Sequence, residues 1–496
     1  MKRSFACTLL VLLFSMTAFA NSAIVHITVK NFRGTIRVYD PGLRYNLTRG
    51  NDTTLRLDAH HSASYTVTID KPVSLVLYFS SNSVSTTYNL YLSPGDELFL
   101  IADFSKKNNS ITVTGRGSEN NQPEISMLAG SDLQASKSDT KPDRVIAIVN
   151  KQFLLNKGIL TNYIAEHKPW SGFIKATTLN LQYQAISDYY FSYQNNIYGK
   201  PKDQEPKWRK IQDSLFSKAN LSNDEALGSH NYAQFINFVI IRRSGDLWGE
   251  YQTNRRLFFK KWFNCDTVKG EKLFKEARHG ILMAKVIDKY FKSKAAEFEY
   301  GQATKYLYHK ADYPSVIYLF NHFKKKYPAS AYVKGFSNTI SGIIIKQKNT
   351  LSNKAIFVAD NGGKLNTMND VVKLTKGKTV LVDMWGTWCG PCREEIQKNS
   401  KQLRDHFKGK NVIFLYIANR DIGREKEWKK QIAYFQIEGQ HILANHKLTE
   451  DIMQKVKATG YPTYIIIKKD GSYKQATTRY PVNVQAMIKE IEAASI

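Results

Sequence analysis

VLVDMWGTWCGPCREEI, residues 380–396, sets two cysteines, Cys389 and Cys392, just beyond an apolar run that carries a single acid, Asp383. TVLVDMW has the length and composition of a buried strand, and CREEIQKNSKQLRDHF has the apolar spacing of a helix. Cys389 therefore falls where a strand hands over to a helix. The first N–H groups of a helix lack partners within it and its dipole is positive there, so thiolate is favoured over thiol. A free cysteine titrates near about 8.5, and this placement typically brings the first thiol of such a pair toward about 7. Only the thiolate attacks a disulfide. Cys389 is the expected nucleophile, and Cys392, one turn further in and shielded, the expected resolving thiol. Gly390 lets a substrate backbone approach closely, and Pro391 opens the helix without losing a hydrogen bond.

Other uses of such a pair have to be weighed. Half of a zinc site needs two further ligands; His441 and His446 lie downstream, without a second Cys-x-x-Cys or paired-histidine motif. A structural disulfide across two residues is a poor staple. A c-type haem site requires histidine after the second cysteine, where this chain has Arg393.

Outward from the thiols, strand and helix signals alternate. AIFVAD precedes a turn at Asn361-Gly362-Gly363, VIFLYIAN is a strand, REKEWKKQIAYF and LTEDIMQKVKA are helices, TYIIIKKDGSYKQATT is two strands around Asp470-Gly471, and PVNVQAMIKEIEAA is a closing helix. This predicts an α/β layer domain over residues 351–496. Residues 143–350 carry the helical period, with Tyr232, Phe235, Ile236, Val239 and Ile240 on one stripe and Met283, Val286, Ile287, Tyr290 and Phe291 on another. An α-helical domain is expected there. Its aromatic stripes read as core, with a groove for an extended polypeptide as the other reading. Residues 116–142 are polar and read as a linker. Residues 21–115 alternate apolar and polar residues between turn signals such as Ser93-Pro94-Gly95-Asp96, which predicts an antiparallel β domain. The whole is a multidomain α+β chain.

The first 20 residues run from Lys2 and Arg3 through an apolar core to Ala18-Phe19-Ala20. That is the layout of a signal peptide cleaved after Ala20. A permanent membrane anchor is the other reading, but Thr8–Phe19 is short of the roughly 20 apolar residues that span a bilayer, and no transmembrane segment is expected after signal removal. Cys7 leaves with it. Cys265 then stands apart from the pair and reads as a small buried hydrophobe, with a third exchanging thiol as the alternative. The 71 basic and 43 acidic residues give a net charge of +28. The lysines are spread along the chain without an arginine-rich arm or a zinc-finger or RNA-binding signature, so a solvated basic surface is expected and no nucleic-acid partner.

WCGPC preceded by VLVDMWGT resembles the active-site strand and turn of the thioredoxin superfamily. WGTWCGPC after GKTVLVD is similar to its exported bacterial branch, the TlpA/ResA-like thiol-disulfide oxidoreductases. The likeness extends over about residues 355–494, and ATGYPTYIII, residues 458–467, is similar to the family's Gly-x-Pro-Thr segment. The resemblance implies a cis-Pro462 beside the thiols, with Trp388 and the Tyr461 backbone against an extended substrate. It also implies that Asp383 is a buried carboxyl beneath Cys392 that accepts its proton. A strand-end aspartate bonded to backbone or water is the other reading of Asp383, and an ordinary turn proline that of Pro462. RDIGREKEWKKQIAYFQIEGQHIL is similar to the helix-containing insertion of this branch. The proline that often follows the family's active-site acids is absent, since the chain reads Glu394-Glu395-Ile396-Gln397, and altered helix bending is expected. The full arrangement resembles long TlpA-family proteins of Bacteroidetes-type Gram-negative bacteria.

What the resemblance implies is an exported protein-disulfide reductase of the periplasm or cell envelope. Its partners would be disulfide-containing exported proteins and a membrane electron donor of the thiol-reducing type, with no cofactor beyond the Cys389–Cys392 disulfide. A Cys-Gly-Pro-Cys pair sits near about −270 mV in thioredoxin, against about −120 mV for the oxidant DsbA, which leans toward reduction. The alternative is a polypeptide- or envelope-binding protein whose thioredoxin-like domain is a redox sensor or docking module.

Overall fold

The structure is a computed structural model that describes residues 22–40, 44–48, 52–81, 85–105, 110–128, 139, 141–196 and 205–495. The expected signal segment, residues 1–20, lies outside the described residues. The chain divides into two compact units, Met1–Tyr308 with Asp312–Ser337, and His309–Ala311 with Asn338–Ile496.

The first unit begins with eight strands: β1 (Ser22–Lys30), β2 (Thr35–Tyr39), β3 (Asp52–Leu55), β4 (Ser62–Thr68), β5 (Val73–Ser80), β6 (Ser85–Leu92), β7 (Glu97–Asp103) and β8 (Ser110–Arg116). They form two four-stranded sheets, β4-β1-β7-β8 and β3-β2-β5-β6. In β1 every second side chain, Ala23, Val25, Ile27 and Val29, is buried, as a strand with one face on a core requires. These residues share one core with Ile36 and Val38 of β2, Leu75 and Leu77 of β5, and Leu98 and Leu100 of β7. Every pairing is antiparallel except β1 with β7, which runs parallel and makes the first sheet mixed.

Residues 116–128, at the start of the stretch read as a linker, pack closely. Asn121 is fully buried, and its side chain bonds both the N–H and the C=O of Tyr91 on edge strand β6, at 2.8 and 2.9 Å. It takes the place of a strand neighbour at that point. Tyr163 donates its hydroxyl to the Glu119 carbonyl and packs with Ile125, Leu160, Phe173 and Leu181. Residues 129–138 and 140 lie outside the described residues.

Helices follow: α1 (Pro142–His167), α2 (Ser171–Asn196), α3 (Glu205–Lys218), α4 (His230–Thr253), α5 (Arg255–Phe263), α6 (Thr267–Tyr290), α7 (Ser293–His309), α8 (Tyr313–Lys326) and α9 (Ala331–Lys346). The α4 stripe Tyr232, Phe235, Ile236, Val239 and Ile240 is buried, and so are Met283, Val286 and Ile287 of α6. The aromatic stripes thus serve as core. Cys265 corrects one expectation: it is a free thiol, only half-buried, in the turn between α5 and α6 rather than inside the core.

The second unit is built on a six-stranded sheet of order β14-β13-β10-β11-β12-β9. Its strands are β9 (Ala355–Phe357), β10 (Thr379–Trp385), β11 (Val412–Ala418), β12 (Gly439–Leu443), β13 (Thr463–Ile467) and β14 (Tyr473–Gln475). β10 pairs parallel with β11 and antiparallel with β13, so it is central, and all seven of its residues are buried. Val380, Val382 and Met384 enter one core with Leu415, Ile417 and Ile465, while Leu381 and Trp385 alternate into clusters on the other face. The interposed helices are α10 (Met368–Leu374), α11 (Gly390–Glu395), α12 (Lys401–His406), α13 (Glu425–Phe435), α14 (His446–Lys455) and α15 (Val484–Ser495). A π-helical turn, Ile396–Ser400, joins α11 to α12. Helix irregularity is thus present where the family's proline is missing, and π turns recur at functional sites. Among the described residues no helix is long and apolar enough to cross a membrane.

Candidate active site

Strand β10 ends at Trp385, and α11 begins five residues later at Gly390. Cys389 is the N-cap of α11, and its Sγ accepts the Cys392 N–H at 3.2 Å. This is the placement that stabilises a thiolate, because a helix-terminal donor points at the sulfur and the dipole adds to it. A disulfide joins Cys389 to Cys392, and both are buried among Trp385, Ile396, Tyr416, Trp428 and Leu443. Pro391 lies in the first turn and is exposed, while Gly390 is half-exposed.

Asp383 is 6% exposed, and its Oδ1 has no hydrogen-bond partner among the described residues. Burial pushes its carboxyl up to about 8, and the charge of Glu395 adds to the shift. Glu395, one turn beyond Cys392, is itself 4% exposed; it accepts from the Asn399 amide and from the Val482 N–H. Asp383 and Glu395 line a cavity of about 20 Å³ together with Tyr416 and Tyr464, which is room for one water molecule. Tyr464 and Tyr416 are the cross-strand neighbours of Asp383 on β13 and β11. An ionised Asp383 is therefore held in a poorly solvated site, where proton uptake is strongly favoured.

The turn before Cys389 is fixed from β11. Asp421 is fully buried and accepts the Thr387 N–H at 2.7 Å and the Thr387 hydroxyl at 2.5 Å. Asn419, also fully buried, donates both its backbone N–H and its side-chain amide to the Trp385 carbonyl. Trp388 donates its indole N–H to the Asn419 carbonyl at 3.0 Å and remains 40% exposed. Its ring lies so near Gly386 that a β-carbon there would stand 2.4 Å from the indole nitrogen. Only glycine fits at 386.

The Tyr461–Pro462 peptide is cis, and a second cis bond, Tyr480–Pro481, follows β14. Tyr461 meets Trp388 edge-on, with ring centroids 5.5 Å apart. Tyr461 and Pro462 are half-buried. Of the histidines weighed as zinc ligands, His441 is fully buried on β12, stacked on Tyr416, with its Nε2 on the Ile437 carbonyl. Burial pushes it down to about 4. His446 is exposed and faces Glu450 on its own helix.

Glu395, Asn419 and Asp421 were not singled out from the sequence. Glu395 follows a charged residue in a helix start and reads as a surface acid, while Asn419 and Asp421 lie in a polar loop. The motif itself offers the one usable signal for Glu395, its position three residues after Cys392.

A family model described as thioredoxin-like matches residues 377–473. The thiol-disulfide oxidoreductase ResA of Bacillus subtilis is 34% identical over 67 residues, which cover 14% of this chain and 33% of ResA. The chain thus spans about a third of that relative's length. Thioredoxin of Coprinus comatus is 30% identical over 101 residues, covering 18% of this chain and 93% of that protein. Among solved structures, a thiol:disulfide interchange protein from Bacteroides sp. matches at 26% identity with a TM-score of 0.21, over 24% of this chain and 74% of that one. The family model and the two sequence relatives place a thioredoxin-like domain in the C-terminal quarter of the chain, and its cysteine pair resembles those of thiol-disulfide oxidoreductases.

Proposed function

Because the chain belongs to the thioredoxin family through its C-terminal domain, we propose that it is an exported thiol-disulfide oxidoreductase that reduces disulfides of periplasmic or envelope proteins. The observation that carries this reading is the Cys389 sulfur at the N-cap of α11, bonded by the Cys392 N–H and already joined to Cys392 in the closed form of the redox pair. In the reduced protein the Cys389 thiolate attacks one sulfur of a substrate disulfide. That S–S bond breaks, the distal substrate sulfur leaves as a thiolate, and a mixed disulfide forms. Cys392 then loses its proton to Asp383 and attacks the Cys389 sulfur. The second substrate sulfur departs, and the Cys389–Cys392 disulfide closes with two electrons transferred to the substrate.

An extended substrate segment would run along the Tyr461 backbone and cis-Pro462, with Trp388, Gly390 and Pro391 around the reacting sulfur. Return to the dithiol requires an outside reductant. For an exported protein, a membrane-borne dithiol donor supplies it. Insulin-disulfide reduction by purified protein with a dithiol reductant tests the activity: turnover is expected for the wild type and loss to background for Cys389→Ser. Equal turnover in both would remove the cysteine mechanism.

A further inference from the structure

We propose that Arg420 and Trp388 form a carboxylate-binding subsite beside the redox pair, which favours substrate segments with an acidic residue next to the reacting cysteine. This rests on the reductase reading above.

Arg420 follows β11 and has a left-handed backbone, φ 56°. A residue with a β-carbon is disfavoured there. The flanking residues hold it in place: Asn419 and Asp421 are both fully buried and tie this loop to Trp385 and Thr387 on the cysteine-bearing segment. Between two such anchors the chain has one exposed side chain, that of Arg420. Its guanidinium carbon lies 5.2 Å from the centroid of the Trp388 ring. Trp388 is the residue immediately before Cys389, and its indole is pinned by the Asn419 carbonyl and the close approach to Gly386. The cation is therefore placed by the same loop that fixes the turn leading into the nucleophile.

Among the described residues no carboxylate or other acceptor bonds Arg420. The neighbouring acid, Asp421, is spent on Thr387, and among the described residues its one ion pair is with Arg424 at 3.8 Å. A guanidinium lying over an aromatic ring keeps its in-plane N–H donors for a planar, bidentate acceptor, and is less well solvated than a free one. A carboxylate is that acceptor. Trp388 also meets Tyr461, the residue before cis-Pro462, edge-on. Burial raises the Tyr461 hydroxyl and the charge of Arg420 opposes that rise, so the cation is felt at Tyr461. A polypeptide lying on Tyr461 and Trp388 with its disulfide at Cys389 would carry its flanking side chains past Arg420.

The test uses the full mature chain and disulfide peptides of one sequence that differ only in having Glu, Gln or Lys directly after the cysteine, with a second set varied directly before it. The readout is the ratio of kcat/KM for Glu over Lys peptides, which does not depend on the fraction of folded protein. In at least one set the wild type should prefer Glu about two- to five-fold, the strength of an exposed ion pair. Salt at high concentration should shrink the ratio. Arg420→Gln should bring it to about one, Arg420→Glu should invert it, and Arg420→Lys should keep part of it. A wild-type ratio near one in both sets, or a preference that survives Arg420→Gln, overturns the subsite while leaving the reductase reading intact. If the wild type reduces none of the peptides above the Cys389→Ser background, the reductase reading fails and the subsite falls with it.

Discussion

Two surroundings decide the protonation of Asp383: the apolar strand it belongs to and the buried carboxyl of Glu395. In an unfolded chain an aspartate titrates near about 3.9, whereas here burial and then Glu395 push it up to about 8. The folded protein therefore holds a proton that the unfolded chain has released, and stability falls as pH rises between those two values. Asp383→Asn should stabilise the protein progressively from about pH 4 to pH 8, by an amount on the order of 2–5 kcal/mol at the upper end, measured by urea unfolding across pH. The kinetic consequence has the opposite sign. Only the ionised carboxyl can accept the Cys392 proton, so closure of the mixed disulfide should speed up as pH rises through about 8 in the wild type and lose that rise in Asp383→Asn. Glu395→Gln should move the rise to lower pH, because it removes the second contribution to the shift. The placement of Cys389 and Cys392 at a helix start and of Asp383 in an apolar strand was legible in the sequence, because a buried strand followed by a helix start is encoded locally. Glu395 was not, since it is buried beside residues distant in the sequence, Tyr464 and Val482.

At the scale of elements, the loop after β11 positions the turn between β10 and α11. Thr387 and Asp421 are 34 residues apart and bond through two short hydrogen bonds. Asp421→Ala would leave the Thr387 N–H and hydroxyl buried without an acceptor, at a cost of about 1–3 kcal/mol. Its melting temperature should fall and insulin reduction should slow, while Asp421→Asn, which keeps one acceptor oxygen, should lose less in both. An unchanged melting temperature for Asp421→Ala would mean that the turn is held from elsewhere. The strands and helices around this loop were readable from periodicity. Their pairing was less so: apolar alternation in β1 is the same whether its neighbour runs parallel or antiparallel, so the parallel β1–β7 pair left no trace in the sequence. The π turn at Ile396–Ser400 likewise carries no proline or glycine to announce it.

The molecule as a whole joins a β- and helix-rich first unit to a unit built on the thioredoxin-like sheet. The helical stripes of the first unit were readable because burial follows the helical period. The packing of residues 116–128 was not, because the few apolar residues there, such as Ile125, show no period and the buried Asn121 is held by bonds to the main chain. Under the proposed function, the whole exported chain meets a substrate disulfide through one sulfur. The most direct test of that claim is to express the full chain as Cys392→Ser and separate its adducts on non-reducing gels, with Cys389→Ser and the double variant beside it. The account predicts mixed disulfides with exported proteins that build up in Cys392→Ser, disappear on reduction and are missing from both variants that lack Cys389. Adducts of equal yield in Cys389→Ser, or none in Cys392→Ser while insulin reduction by the wild type persists, would contradict the assignment of Cys389 as the attacking thiol and Cys392 as the one that releases the product.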